Sequence, residues 1–254
     1  LTCGLNGVSG INSASLFGGN AYQQNPCLNI ESIDCIISFP PTCTSAKRAF
    51  ADLKHLSSVN VSLFDTSNCT DFAMMFNGTE SLKYVDLTNL NTGNGTTFSS
   101  MFKRCFAQRI DMPIDGLDLK NATKVDGMFA EGVSGDECPH NRSIGLLNVT
   151  GNTAIEEHAA SSAYNISMFG SYFYSSRNKI THLDGLRGLC VSLYLGWCKL
   201  LDNESVYNII NEATGGSEDA HIVITFATNQ YNYAVGNAEI IAMCEEKFID
   251  IVQG

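Results

Sequence analysis

The chain has 254 residues, of which 44% are hydrophobic, and its formal net charge is −11. This size allows a large apolar core, and a repeat array of this length can form one elongated domain. The negative charge excludes nucleic acid and anionic membrane surfaces as expected partners, because their phosphates require clustered Lys and Arg.

Residues 1–27 are rich in Gly, Ser and Asn and predict an irregular N-terminal cap, which an array needs to cover the apolar end of its first repeat. They lack the charged and apolar regions of a signal peptide. The chain does not begin with Met, so we expect a mature or truncated piece of a longer protein. It has no apolar run of the roughly 18 residues that a membrane span needs.

A repeat of roughly 26 residues follows and is clearest in residues 81–104. Each copy has apolar residues at the spacing of a short strand, then a polar turn, then a Met-Phe pair. The pairs are Met75-Phe76, Met101-Phe102, Met128-Phe129 and, after insertions at 131–142 and 153–163, Met168-Phe169. The predicted strands lie at about residues 33–35, 59–61, 85–87, 110–112, 147–149 and 193–195. Residues 46–56 are the most helix-like segment of the first half.

Two apolar motifs close the array. Ile180-x-x-Leu183 and Cys190-x-x-Leu193 lie too close together to be two full repeats. We interpret the second motif as the last rung and the first as a short strand or turn beside it.

The pattern changes after Leu200. Asp202-Asn203-Glu204 provides a helix start for residues 205–213, which Gly215-Gly216 ends. A strand at 221–228, a helix at 238–247 and a final strand at 248–252 are predicted next.

The repeat motifs resemble those of a known family. Phe64-Asp-Thr-Ser-Asn68, Cys69-Thr-Asp71, Val85-Asp-Leu87 and the Met-Phe pairs are similar to the BspA-like, mycoplasma-lipoprotein type of leucine-rich repeat. Such repeats occur in bacterial surface proteins and in phage or prophage tail proteins, and the segment after residue 200 looks like the closing module of the tail proteins. Met112-Pro113 departs from the pattern.

The resemblance implies an α/β fold in three parts. Residues 1–27 would form the cap, residues 28–200 a right-handed leucine-rich-repeat solenoid with one sheet of short strands, and residues 201–254 a small α/β C-terminal cap.

Motifs for catalysis are missing from the sequence, which has no zinc-protease, nucleophile-elbow, P-loop or dinucleotide-binding pattern. We therefore expect a protein that is not an enzyme and has no cofactor and no metal site. Cys138-Pro-His140 and Glu156-Glu157-His158 are the alternatives, as a nucleophile with its base or as metal ligands.

The ten cysteines form no C-x-x-C pair, and we interpret most of them as buried free thiols. The sequence also allows one disulfide bond among Cys3, Cys27, Cys43 and Cys138. Nine N-x-S/T sequons, Asn94 and Asn121 among them, indicate either glycosylation or, in our preferred interpretation, turn residues of the repeat.

The predicted binding site is a column of outward positions on successive strands, because alternate residues of a strand face opposite sides. The column comprises Asp34, Asn60, Asp86, Asp111 and Asn148, with Tyr84 and Arg109 beside it and Asp184 as a further candidate. Such a face is either a recognition surface or only a solvated ladder.

Two functions follow. The first is a recognition or adhesion module on the bacterial cell surface that binds a host or bacterial surface protein or a glycan. The alternative is a structural or receptor-binding component of a phage tail, which would form oligomers and lie in the virion.

Overall fold

The computed structural model describes residues 29–33, 43–61, 65–82, 85–87, 89–105, 117–130, 141–155, 166–171 and 178–254. Its strands in these ranges are β1 (Ser32–Ile33), β2 (Ser58–Val59), β3 (Arg142–Ile144), β4 (Leu147–Asn148), β5 (Ile166–Ser167), β6 (Gly170–Ser171), β7 (Ile180–Leu183), β8 (Leu186–Arg187), β9 (Leu193–Leu195), β10 (Ile222–Phe226) and β11 (Ile249–Gln253). Its helices are α1 (Asn203–Glu212), α2 (Thr228–Val235) and α3 (Ala238–Glu246).

Consecutive repeats are joined by backbone hydrogen bonds along the segment that holds the Met-Phe pair. Every second N–H group donates to a carbonyl of the next repeat, at 2.7–3.1 Å. The donors of one repeat are Phe72, Met74, Phe76 and Gly78, and their acceptors are Thr97, Ser99, Met101 and Lys103. The same pattern joins residues 46–52 to 71–77 and residues 98–104 to 124–130. Each repeat therefore satisfies backbone donors of its neighbour.

The residues between these donors turn the chain back on itself. Met75 donates to the carbonyl of Phe72 at 3.2 Å, and Met101 donates to that of Phe98 at 3.1 Å. The turn contains left-handed backbone at two positions, with φ of 58° at Met74 and 73° at Gly78 in one repeat and 56° at Ser100 and 55° at Arg104 in the next. Left-handed conformation costs a residue with a side chain about 1–2 kcal/mol, which the bonds between repeats must offset.

The helical tendency of residues 46–56 is not realised, so this expectation was wrong. Arg48 and Asp52 have left-handed φ values of 58° and 62°. The N–H of Phe50 donates to Met75 of the next repeat at 2.9 Å instead of to its own turn. Pairing between repeats has overridden local helix propensity.

The Met-Phe pairs form the centre of the core. The rings of Phe50, Phe76, Phe102, Phe129 and Phe169 are buried and stack in order, with centroids 5.3–5.7 Å apart and planes within 15° of parallel. Met75, Met101, Met128 and Met168 are buried beside them. The recurrence of the Met-Phe pairs in the sequence predicts that Phe76, Phe102 and Phe129 are buried and stacked, and this prediction is confirmed.

The observed strand pairing follows the sequence prediction in part and corrects it in part. β1 pairs with β2 in parallel, with Ser32 opposite Ser58, which is the predicted register. β4 pairs with β8 rather than with residues 193–195, and β7 pairs with β3. The Ile180 motif is therefore paired with the preceding repeat, and the expected last rung, β9, lies instead beside β10. Residues 85–87 are not assigned as a strand, and residues 110–112 lie outside the described ranges.

The C-terminal segment contains a parallel three-stranded sheet in the order β11, β10, β9. Helix α1 begins at the predicted place, since the Asp202 carboxylate caps it by accepting from the N–H of Ser205. The predicted helix at 238–247 and the strands around β10 and β11 are present. Helix α1 contacts β7 and β8, which links the C-terminal segment to the repeats. Within the described residues, no helix has the length and apolar character needed to cross a membrane.

Replacing one stacked ring tests the contribution of the core. Phe102→Ala should lower the free energy of unfolding by about 3–5 kcal/mol, because it removes a fully buried ring between two others. Thermal and denaturant melting measure the loss. Leu200→Ala, at a side chain that is 48% exposed, should change stability by less than about 0.5 kcal/mol. Equal melting of both variants would contradict the stacked core.

One of the left-handed positions supplies a stabilising substitution. Ser100→Gly should raise the free energy of unfolding by roughly 0.5–1 kcal/mol, since relief of about 1–2 kcal/mol exceeds the entropy that Gly adds to the unfolded chain. The equivalent residue of the next repeat is already Gly127, with φ of 57°. Ser99→Gly is the matched control and should destabilise, because it loses a bond to Asp126 and relieves no strain. The opposite order in denaturant melts would show that the turn is misassigned.

Candidate functional site

Two residues of the predicted column lie on the surface at the same position of consecutive repeats. Asn60 is exposed between the buried side chains of Val59 and Val61, and Asp86 is exposed between two buried apolar neighbours. This alternation directs both polar side chains outward. The N–H of Asn60 donates to the carbonyl of Ile33 at 3.2 Å and so ties the position to the preceding repeat.

The other predicted binding residues divide into two groups. Asp34, Tyr84, Arg109 and Asp111 lie outside the described residues. Asn148 lies in β4 and is half-buried, and it pairs with Asp118.

The pairing of Asn148 corrects its predicted place. Asp65, Asn91, Asp118 and Asn148 form what we call the turn row, in which each side-chain oxygen accepts from the backbone N–H two residues ahead at 3.1–3.2 Å. Asn148 therefore belongs to the polar turn of the repeat and not to the column of Asn60 and Asp86. The insertion at 131–142 hid this register, because strand and turn both carry apolar residues at alternate positions.

The turn row serves mainly to fix the backbone. Hydrogen bonds from the Ser67 hydroxyl and then from its backbone N–H lower the pKa of Asp65, so this carboxylate remains ionised. Lys120 pairs with Asp118 across 3.3 Å on the surface. Such short-range bonds are typical of polar residues that hold turns.

The asparagines of two sequons form hydrogen bonds between neighbouring repeats. The side-chain amide of Asn94 donates to the carbonyl of Ser67 at 2.7 Å, and that of Asn121 donates to Gly93 at 2.7 Å. Both bonds join neighbouring repeats. The interpretation of these two asparagines as repeat turn residues is confirmed.

A His-Asp cluster joins the repeats to the C-terminal segment. His182 of β7 lies with Nε2 2.7 Å from Asp184 and Nδ1 2.8 Å from Asp202. Asp202 also caps α1, and the Ser205 hydroxyl bonds to the same carboxylate. Asp184 and Asp202 are each recognisable in the sequence, but the cluster is not, because nothing in the sequence shows that the strand and the helix start are adjacent.

The cluster has coupled electrostatics. Burial alone would lower the pKa of His182, but hydrogen bonds to Asp202 and Asp184 outweigh it and raise that pKa. Burial likewise would raise the pKa of Asp202, but hydrogen bonds from Ser205 and His182 outweigh it, so that pKa is lowered. Both pKa shifts favour the charged forms, a protonated His182 and an ionised Asp202.

Ser205, His182 and Asp202 do not form the geometry of a hydrolase. The Ser205 hydroxyl is fully buried, donates to Asp202 and accepts from the N–H of Leu183 at 2.8 Å. The imidazole nitrogen that faces this hydroxyl, His182 Nδ1 at 3.4 Å, is the one bound to Asp202. A nucleophile needs access to substrate and a base free to take its proton, so this arrangement holds structure together.

Within the described ranges, no group of three His, Cys, Asp or Glu residues could hold a metal ion. Cys138-Pro-His140 and Glu156-Glu157-His158 lie outside those ranges.

The described cysteines support the interpretation of buried thiols. Burial, and then the Cys43 thiol, raise the pKa of Cys69 to about 12, and burial raises the pKa of Cys244 to about 11. Both side chains are buried and protonated at neutral pH. Cys3, Cys27 and Cys138 lie outside the described residues.

Comparison with known proteins gives one family. Residues 42–167 match a family described as "Mycoplasma protein of unknown function, DUF285". No curated protein and no solved structure matches the chain. The match agrees in broad terms with the mycoplasma-type repeat resemblance and is compatible with a bacterial surface protein.

The His-Asp cluster predicts a pH dependence of stability. Since the folded-state pKa of His182 lies above its ordinary value near 6.5, its contribution is complete below about pH 6 and is lost as pH rises through the folded pKa. The stability difference between the wild type and His182→Gln should therefore be largest near pH 6 and shrink toward pH 8. Denaturant melts across this range measure it, and a difference that is constant with pH would contradict the charged pair.

Proposed function

We propose that this chain is a non-enzymatic recognition module of a bacterial surface protein, built as a leucine-rich-repeat solenoid. Its outward face, including Asn60 and Asp86, binds a protein or a glycan. The main support is the ladder of hydrogen bonds between repeats, which holds equivalent positions of neighbouring repeats in a fixed relation.

The regular stack suits recognition of an extended surface. In stacked repeats, equivalent side chains recur along one direction at the spacing of adjacent strands, about 4.8 Å. A row at this spacing allows one ligand to contact several repeats at once. Contacts that are weak singly then add up over the face.

The chemistry of the face favours ligands that donate hydrogen bonds. The exposed groups of Asn60 and Asp86 include amide and carboxylate oxygens, which accept from hydroxyl or amine groups. Glycan hydroxyls and the Lys or Arg side chains of a protein both supply such donors. The formal charge of −11 adds long-range attraction for a basic protein surface.

The alternative function is a structural or receptor-binding component of a phage tail. It draws on the resemblance of the C-terminal segment, which contains the sheet of β9, β10 and β11 and three helices. A trimer in light scattering would favour the tail component, whereas a monomer would favour the surface module.

The experiment is a binding screen followed by charge substitution. Any partner found on glycan and surface-protein arrays should lose about tenfold or more in affinity with the double variant Asn60→Lys and Asp86→Lys, because the face changes charge and shape. Asp219→Lys repeats the Asp86 substitution, from acidic to basic, at an exposed position of the C-terminal segment and should have little effect.

Two results would count against the proposed face. Unaltered affinity in the double variant would move the binding site elsewhere, first to the insertions at 131–142 and 153–163. An equal loss of affinity in Asp219→Lys would show that the effect comes from overall charge and not from the repeat face.

A further inference from the structure

The last strand forms one edge of the C-terminal sheet. β11 pairs with β10 in parallel and ends the order β11, β10, β9. The carbonyl of Phe248 accepts from Ile222 at 3.1 Å, and the N–H of Gly254 donates to Phe226 at 2.9 Å. Since N–H and C=O groups of alternate residues point to opposite sides, even-numbered residues face β10.

The odd-numbered residues therefore present an open edge. The backbone N–H and C=O groups of Ile249, Ile251 and Gln253 point away from β10, and no further strand adjoins them in the described part of the chain. Ile249 is buried, so the accessible part of this edge consists of Ile251 and Gln253. An edge of this kind is a template for another strand.

An apolar groove lies beside this edge. Residues of α3, namely Ile241, Cys244 and Glu245, line it together with residues 249–252 of β11, around a cavity of about 490 Å³. Val235 lines the groove as well, and its side chain and that of Val252 are 43% and 39% exposed. They are two of the three large hydrophobic side chains exposed in the described residues, so exposed apolar surface concentrates here.

The spacing of the outward backbone N–H and C=O groups of β11 favours an extended peptide as the ligand. Outward donors and acceptors recur every second residue along β11, a spacing that matches the backbone of another strand. A docked strand would direct alternate side chains to the groove, where apolar residues would cover Val252 and its neighbours.

The charge of the groove selects a basic strand. Its ionisable groups are Glu245, Asp250, His221 and the protonated Cys244, and His221 Nδ1 lies 3.1 Å from the Asp250 carboxylate. The two carboxylates are exposed. A second copy of a chain with net charge −11 would be repelled, whereas Lys or Arg would be attracted.

We propose that β11 docks, by strand addition, an extended segment of a partner protein in which apolar residues alternate with basic ones. This is a second interaction surface, separate from the repeat face.

The probe is an eight-residue peptide of alternating Val and Lys, titrated calorimetrically against the full chain at low salt. Saturable binding is expected, and Glu245→Lys should weaken it about fivefold, as the loss of one surface charge pair. Glu246→Lys is the matched control, because it makes the same change on an exposed neighbour that does not line the groove. Its affinity should stay within about twofold of the wild type. No saturable binding, or equal weakening by both substitutions, would overturn the proposal.

Backbone pairing is tested separately. The same peptide N-methylated at every residue keeps its side chains and charge but has no donor for the edge, and it should not bind. Ile251→Pro removes one outward N–H while leaving the bonds to β10, and it should also lose binding with its fold retained in melts. Should that variant not fold, the N-methylated peptide decides alone.

Two further outcomes overturn the proposal. Equal binding of the N-methylated peptide would show that no strand is added. A dimer in sedimentation that Ile251→Pro converts to monomer would replace the basic partner with a second copy.

Discussion

The hydrogen bonds between consecutive repeats are the constraint on which the repeat region depends. Within one repeat, the segment with the Met-Phe pair has too few internal bonds to satisfy its backbone, and it contains a left-handed residue such as Met74 or Ser100. Its neighbour supplies the remaining acceptors. Because one repeat orders about 25 residues at about 1–2 kcal/mol each, the few apolar side chains that it buries cannot stabilise it alone.

This dependence connects the core to the surface. Stacking brings the phenylalanine rings into contact every repeat, and the same translation places Asn60 and Asp86 at equivalent outward positions. The His182 cluster extends the connection, since it joins β7 to the start of α1. The proposed binding face would therefore be held in place by the stack itself rather than by dedicated residues.

Sequence patterns predicted those features that are encoded within a single segment of the chain. The Met-Phe layer was predicted from spacing, and α1 from its cap Asp202 and its apolar pattern. Helix α2 was missed, because it lacks a side-chain cap and consists largely of polar and aromatic residues with modest helix propensity.

Features that depend on other parts of the chain were harder to predict. The register of Asn148 was wrong because an insertion precedes it and its turn imitates a strand. The His182 cluster requires two distant segments, β7 with Asp184 and the start of α1, to meet. Residues 46–56 follow their neighbouring repeat rather than their own propensity. In each case, the deciding interaction lies outside the local sequence window.

Native-state hydrogen exchange of the amides of Phe50, Phe76 and Phe102 tests the central claim most directly, because each donates to the next repeat. If the repeats are stable only as a stack, these three amides should exchange together, with the free energy of global unfolding. Exchange of Phe50 by independent local opening, while Phe102 stays protected, would contradict the account.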